Sequence, residues 1–213
     1  FAEAREQPGL RASPPMRLAA LTAARTVSLE LDGLWLPAEA EALHTPYDRW
    51  AAGDRVKTLT TSPAVFGVAE AALSLLDEAT ATPLRSRLTD LRERAYALAD
   101  APVPQTWAEE QGTAGAAGAG HGLTVRGERA GEGVDDWAEE RLAVRAEAYD
   151  VLRAATTAAV VAGGGRAMAL TSRAQRLARE GLFLLVQGQT AKSRAAHLRA
   201  LSGAPAATGE RHR

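Results

Sequence analysis

The chain contains no cysteine among its 213 residues, which excludes disulfide bonds, thiolate metal sites and a cysteine nucleophile. Its four histidines are scattered and lack the spacing of metal ligands, so no metal centre is expected. No apolar run is long enough to cross a bilayer, and no signal peptide is visible. The formal net charge is -1, with basic and acidic residues interspersed, which argues against a nucleic-acid-binding protein. These absences leave a cytoplasmic enzyme as the expectation, with neither membrane nor nucleic acid as a partner.

The content of hydrophobic residues, 46%, suits one domain or one and a half with a sizeable core. Val27, Leu29 and Leu31 alternate with polar residues, which predicts a half-buried strand. Asp32-Gly33 then supplies a turn, and residues 34–37 resume an extended course. So few strands cannot enclose a core. Because the chain also opens without an initiator methionine, we interpret residues 1–57 as the remnant of a truncated β-domain.

The sequence after residue 57 predicts helices. Ser62-Pro63 and Thr82-Pro83 each combine an N-cap residue with a proline suited to the first helical position. A third helix is expected from about Asp135, and a fourth from about residue 172 to residue 201. A break in the fourth helix at Gly188 is left open.

These helices carry apolar stripes at helical spacing, which face a common core. In the second helix the stripe consists of Leu84, Leu88, Leu91, Ala95 and Leu98. In the third it consists of Trp137, Val144, Ala148, Val151 and Ala155. The prediction is therefore a mainly α fold, an antiparallel four-helix bundle over residues 58–203 that a few β-strands precede.

Two segments are expected to lie outside the bundle. Residues 101–133 are rich in proline and glycine, which favours a flexible insertion between the second and third helices. Their glycine cluster at 115–122 lacks the preceding strand and the lysine of a phosphate-binding loop. Residues 204–213 are predicted to form a disordered tail.

Residues 163–165 are three consecutive glycines between two helices. A helix C-cap followed by a tight turn accounts for one or two of them. Three glycines, with the small Ala167 after them, also suit close approach by a cofactor or another subunit, because no Cβ obstructs the backbone. Both interpretations remain open from the residues alone.

The order of these segments resembles the acyl-CoA dehydrogenase family. There a helix ends in a Gly-Gly-x-Gly-aromatic segment that packs on the flavin dinucleotide of a neighbouring subunit, and residues 164–168 (GGRAM) occupy the corresponding place. Arg179-Glu180 matches the Arg-Asp pair that follows in the family. Residues 33–37 (GLWLP) and 66–69 (FGVA) resemble the end of its middle β-domain and its first bundle helix. The resemblance implies that Gly164 and Gly165 contact flavin.

The family's catalytic base is often the glutamate of a Tyr-Glu-Gly-Thr motif, and residues 186–190 (VQGQT) correspond to it here. One register puts Gln187 at the base position, and the other puts Gly188 there and aligns Thr190 with the family's threonine. Neither register supplies a carboxylate, and an amide takes no proton near neutral pH. Gln187 is thus a catalytic position of doubtful role, while the resemblance makes Thr190 a third flavin contact.

The resemblance implies FAD as the cofactor, an acyl-CoA or related small molecule as the substrate, and a homodimer or homotetramer. The expected function is that of an FAD-dependent acyl-CoA dehydrogenase-like oxidoreductase. Two alternatives remain: a non-catalytic helical scaffold in a flavoenzyme complex, and a flavin-dependent monooxygenase relative. His197 lies too far along the last helix to match the histidine of monooxygenase-type relatives, and we expect it to be a partly exposed structural residue.

Overall fold

A computed structural model of the chain describes residues 8–41, 43–47, 50, 59–102 and 131–203. The chain divides into two compact units, Phe1–Pro46 and Tyr47–Arg213. The sequence placed this boundary after residue 57, and residues 51–58 lie outside the described part. The expected tail at 204–213 and most of the glycine-rich insertion, residues 103–130, also lie outside it.

The first unit contains a two-stranded antiparallel sheet. Strand β1 (Leu10–Ala12) pairs with β2 (Leu29–Leu31), with Leu10 opposite Leu31 and Ala12 opposite Leu29. The predicted strand is confirmed over Leu29–Leu31, but the expectation of half-burial was wrong, since Leu29 is 54% exposed and Leu31 66% exposed. The extended stretch at 34–37 forms no strand.

Gly9 allows the turn after β2 to approach the start of β1. Its φ is +83°, and a Cβ there would lie 2.6 Å from the carbonyl oxygen of Asp32 and from the backbone nitrogen of Leu34. The backbone N–H of Asp32 donates to the Gly9 carbonyl at 2.8 Å. A residue other than glycine at position 9 would push the two segments apart.

The second unit is built from helices. These are α1 (Pro63–Leu73), α2 (Glu78–Asp100), α3 (Gly131–Gly163), α4 (Arg173–Val186) and α5 (Ala191–Ser202). Helix α3 packs against each of the other four. The prediction of a mainly α fold is confirmed. None of the described helices combines the length and the apolar run needed to cross a membrane.

The predicted apolar stripes face the core. Leu88, Leu91 and Ala95 of α2 are buried, as are Ala148 and Val151 of α3. The other buried residues of this core include Val65, Leu73, Val144, Leu152 and Ala155. Many core residues are alanines, so the helix axes can approach closely.

The helix starts agree with the sequence in one case and not in another. Ser62 caps α1, with its hydroxyl accepting from the N–H of Ala64 at 3.3 Å. The start predicted at Thr82-Pro83 was wrong, because α2 begins at Glu78. Asp77 is its N-cap: one carboxylate oxygen accepts the N–H of Thr80 at 2.9 Å, and the other accepts the Thr80 hydroxyl at 2.8 Å. Because the Asp77 carboxylate stabilises the positive, N-terminal end of the helix, α2 starts before Pro83 and not at it.

The last predicted helix is interrupted where the sequence left the question open. Helix α4 ends at Val186, Gly188 takes a φ of +59°, and α5 begins at Ala191. A capping box at Thr190 and Ser193 starts the new helix, because each of these side chains accepts the backbone N–H of the other residue.

The cap at Asp77 predicts a stability effect. Asp77→Ala should lower the free energy of unfolding measurably, since the orphan N–H of Thr80 loses its acceptor. Thr82→Ala, at the mistaken cap position inside the same helix, should change it by less than about 0.5 kcal/mol. Urea unfolding followed by circular dichroism measures both values. Equal effects of the two substitutions would contradict the assignment of Asp77 as the N-cap.

Candidate functional site

The glycine segment forms the turn between α3 and α4. Gly163 ends α3, and a Cβ there would lie 2.8 Å from the Cβ of Ala167. Gly164 takes a φ of +57°, which favours glycine. Gly165 has neither constraint, and apart from the glycine itself and its two chain neighbours no atom of the described residues lies within 4 Å of a Cβ built at Gly164 or Gly165. The turn therefore explains the first two glycines, whereas the third is an exposed backbone segment open to a ligand or a partner.

Gln187 and Thr190 lie at the opposite end of α4. The side chain of Gln187 is exposed at the C-terminus of that helix. The Thr190 hydroxyl accepts the N–H of Ser193 at 3.2 Å, so it already serves the cap of α5. Helix α4 has 14 residues and is therefore about 21 Å long. Within one chain, the glycine turn and the Gln187–Thr190 corner do not meet in a common site.

Arg179 and Glu180 do not pair with each other. Arg179 donates to the carbonyl of Leu170 at 3.3 Å, and Glu180 pairs with Arg176 at 3.5 Å. Arg179 thus ties the middle of α4 back to the segment that follows the glycine turn. This contact supports the shape of the turn from within the chain.

Arg145, which the sequence analysis did not single out, is 4% exposed and joins three segments. From α3 it donates to the carbonyl of Thr60 at 2.8 Å and to that of Gln187 at 3.3 Å. It has no ion pair with a carboxylate among the described residues. The carbonyl of Gln187 lies at the negative end of the α4 dipole, which compensates the buried charge in part.

Arg141, one turn earlier on α3, repeats this arrangement. It is 3% exposed, donates to the carbonyls of Leu98 and Trp137, and lies 3.7 Å over the Trp137 ring. Burial lowers its pKa, and the nearby Glu140 acts in the opposite sense. Carbonyl oxygens and an aromatic face thus replace the carboxylate that usually accompanies a buried guanidinium.

His197 of α5 is buried near Arg145, which corrects the expectation of a partly exposed residue. It is 4% exposed, and its ring lies 4.7 Å from the ring of Tyr149. Neither ring nitrogen has a hydrogen-bond partner among the residues that the structure describes. Burial first, and the positive charge of Arg145 second, lower the pKa of His197 to about 4. The imidazole is therefore neutral at physiological pH.

The same environment acts on Tyr149. Burial raises the pKa of its phenol, while Arg145 opposes that shift. Arg145, Tyr149 and His197 together form what we call the arginine–histidine cluster. It holds one fixed positive charge and two neutral rings, and it contains no carboxylate that could act as a base.

A sequence signal for this cluster exists but is weak. Arg141, Arg145 and Tyr149 follow one another at intervals of four, so they share one face of a helix. Such a face normally points to solvent. It is buried here because α3 is surrounded by the other helices. The sequence pattern of one helix does not reveal how many other helices pack around it.

The described residues do not assemble a metal centre: no group of three potential ligands among histidine, aspartate and glutamate occurs in the part of the chain that the structure covers. The chemistry available is that of exposed backbone at Gly165, an amide side chain at Gln187 and a buried cation at Arg145.

Comparisons with known proteins bear on the fold. No protein-family model matches the chain, and no curated protein matches it. Among solved structures, the chain is similar to one described as an electron transferring flavoprotein of Acidaminococcus fermentans, in work towards a mechanism of flavin-based electron bifurcation. The TM-score is 0.53 at 16% sequence identity, over 92% of this chain and 50% of that chain. The chain therefore spans half the length of the structure it matches, and the likeness shows a shared fold.

The contacts of Arg145 predict a stability effect. Arg145→Lys should lower the free energy of unfolding by about 1–3 kcal/mol, because one ammonium cannot reach both carbonyls as the guanidinium fork does. Arg153→Lys, at an exposed arginine on the same helix, should change it by less than about 0.5 kcal/mol. Urea titration monitored by tryptophan fluorescence checks both variants. A loss of equal size at Arg153 would show that the buried contacts contribute nothing.

The unpaired imidazole predicts a pH-dependent stability difference. The folded pKa of about 4 lies below the ordinary value of 6.5, so the unfolded chain takes up a proton first as the pH falls. Stability due to neutral His197 is complete above pH 6.5 and is lost between pH 6.5 and 4. His197→Leu should unfold at a higher denaturant concentration than the native chain. The difference in the free energy of unfolding between the two should grow by about 1.4 kcal/mol for each unit that the pH falls within that window. Equilibrium unfolding at several pH values measures it; a constant difference would contradict the assignment.

Proposed function

We propose that the chain is the helical portion of an FAD-dependent, acyl-CoA dehydrogenase-like oxidoreductase that acts on an acyl thioester or a related small molecule in the cytoplasm. The observation that carries the proposal is the exposed glycine turn, whose third glycine the turn itself does not require. Two further features support it: the family-like order of segments in the sequence, and the fold likeness to a structure described as an electron transferring flavoprotein.

The glycine turn fits a flat cofactor by its geometry. Beyond the adjacent residues, no atom of the described part of the chain lies within 4 Å of a Cβ built at Gly164 or Gly165, so a ring system can approach the backbone there. A bound FAD would supply the hydride acceptor for oxidation of the substrate. The chain's own part is to hold the cofactor, with Gly164 and Gly165 supplying bare backbone and Arg179 holding the turn in place. The Thr190 hydroxyl is the third proposed contact.

The separation of the two ends of α4 bears on assembly. Because about 21 Å of helix divides the glycine turn from Thr190, one chain does not place both against the same part of a flavin. A homodimer or homotetramer, in which each flavin meets the turn of one copy and the corner of another, satisfies both contacts. Oligomer formation is therefore part of the proposal.

The Gln187–Thr190 corner favours a second candidate. It presents a neutral amide where a dehydrogenase of this family often has a carboxylate. Arg145 holds it by a hydrogen bond to the backbone carbonyl of Gln187, and this contact involves no catalytic base. A helical subunit that contributes flavin contacts to a larger enzyme complex, without catalysing proton removal itself, needs no acid at this corner.

The first test is the visible absorption spectrum of the purified full chain after incubation with FAD. We expect bound flavin bands, which an acyl-CoA substrate bleaches if the dehydrogenase proposal is right. Retained flavin without bleaching by any acyl-CoA would favour the subunit candidate. A folded protein that stays colourless would contradict both.

Gly165→Val should abolish or lower flavin retention at least tenfold while leaving the thermal midpoint within about 2 °C, because the added side chain points into open space. Ala99→Val, which also enlarges an exposed small residue, is the matched control and should retain flavin. Equal retention by the two variants would place the flavin elsewhere.

The amide at Gln187 predicts a gain of activity. Gln187→Glu supplies the missing carboxylate at an exposed position, so it should raise the rate of flavin bleaching by acyl-CoA. Gln189→Glu, two residues along the same corner, serves as the control. Unchanged bleaching in the first variant would overturn the register that aligns Gln187 with the family's base.

A further inference from the structure

Helix α5 is attached to the bundle by few buried side chains. Only Ser193, Ala196 and His197 of its 12 residues are buried, and its main packing partner is α3. It is joined to α4 through the corner at Gly188, which has a φ of +59° and, having no Cβ, can also adopt other backbone conformations. An element with so little buried surface opens locally at a low free energy.

His197 is the central residue in the packing of α5 on the bundle, and the hydrogen-bonding groups of its side chain are unsatisfied. His197 is 4% exposed, and within the described part of the chain neither of its nitrogens has a hydrogen-bond partner. A neutral imidazole offers one donor and one acceptor, and both stay unused in the docked state. Docking thus holds the ring neutral by exclusion from water and not through a hydrogen bond.

The charged and titratable groups around the ring oppose its protonation. From α3, Arg145 contributes a buried positive charge and Tyr149 a neutral phenol in ring contact. Asp150 also faces the small gap beside His197, but its carboxylate is engaged by Arg153 at 2.6 Å and by Arg87 at 3.8 Å.

The remaining neighbours are apolar. Helix α4 presents Leu185 to the same gap, and the segment before α1 contributes Leu59, which packs with Ala196. None of the described groups around His197 is placed to accept a proton from an imidazolium.

We propose that α5 is an acid-released flap, in which protonation of His197 undocks the helix about the Gly188 corner and uncovers Tyr149. In the docked state, a proton on His197 is buried without an acceptor and close to the guanidinium of Arg145. In the undocked state, the imidazolium is in water. Acid therefore favours undocking, and neutral pH closes the flap again.

Hydrogen exchange of the full chain tests this proposal. Protection factors of the α5 amides, corrected for the intrinsic effect of pH on exchange, are measured by mass spectrometry at pH 7.5 and 5.5. A group that titrates near pH 6.5 when undocked and near pH 4 when docked predicts about a tenfold loss of protection in α5. Amides of α1, α2 and α3 that exchange through global unfolding should lose protection by the same factor, because the unfolded chain also exposes His197. They should stay more protected than the α5 amides at both pH values, which separates local release from global unfolding.

His197→Leu keeps an apolar side chain of suitable size at the docking position, and its α5 protection should not depend on pH. His197→Phe is the second variant if the leucine does not fold. His44→Leu, at an exposed histidine, should lose protection as the native chain does. Full protection of native α5 at pH 5.5, or an equal loss in the His197 variants, would overturn the proposal. The flavin spectrum does not enter this test, so it succeeds or fails independently of the proposed function.

Discussion

The guanidinium of Arg145 is the contact on which the arrangement of the second unit depends. One buried side chain reaches the carbonyl of Thr60 before α1 and the carbonyl of Gln187 after α4, while its own helix forms the centre of the bundle. A buried charge without a carboxylate is costly, so it persists only where several carbonyl dipoles converge. The bond to the Gln187 carbonyl holds the C-terminal end of α4, next to the corner from which α5 leaves.

The two regions that support the functional proposal, the glycine turn and the Gln187–Thr190 corner, lie at the ends of helices and not on their faces. The glycine turn follows the C-terminus of α3, and the Gln187–Thr190 corner follows the C-terminus of α4. Each end needs a residue with positive φ, which Gly164 and Gly188 supply. With these two glycines explained by backbone geometry, the open Gly165 is the position that most directly indicates an external contact.

The agreement between sequence and structure is good where a local rule decides the outcome. The cap at Ser62, the apolar stripe of α2 and the strand at Leu29 follow from side-chain chemistry within a few residues of chain. The start of α2 was missed because two caps compete there. The Asp77 carboxylate, with two hydrogen bonds from Thr80, outweighs the signal of Pro83 six residues later.

Long-range packing decided the features that the sequence analysis missed. Arg141, Arg145 and Tyr149 share a helical face that resembles a solvent-exposed one, and half of the residues of the helix that carries His197 are polar. Their burial results from the enclosure of α3 by four other helices, a property of the whole bundle. The exposure of β2 is likewise nonlocal, because the alternating pattern of residues 27–31 does not say whether a second layer covers it.

The sequence by itself determined the mainly helical class, the positions of the glycine turn and of the corner, and the lack of a carboxylate at residues 186–190. These follow from residue identity and from periodicities of two and 3.6, which act over one or two turns. Only the tertiary structure decided that turn and corner lie at opposite ends of α4, that a guanidinium rather than an acid supports the corner, and that His197 is buried without a partner. Desolvation and charge compensation depend on which distant segments surround a side chain, and that information exists only once the chain has folded.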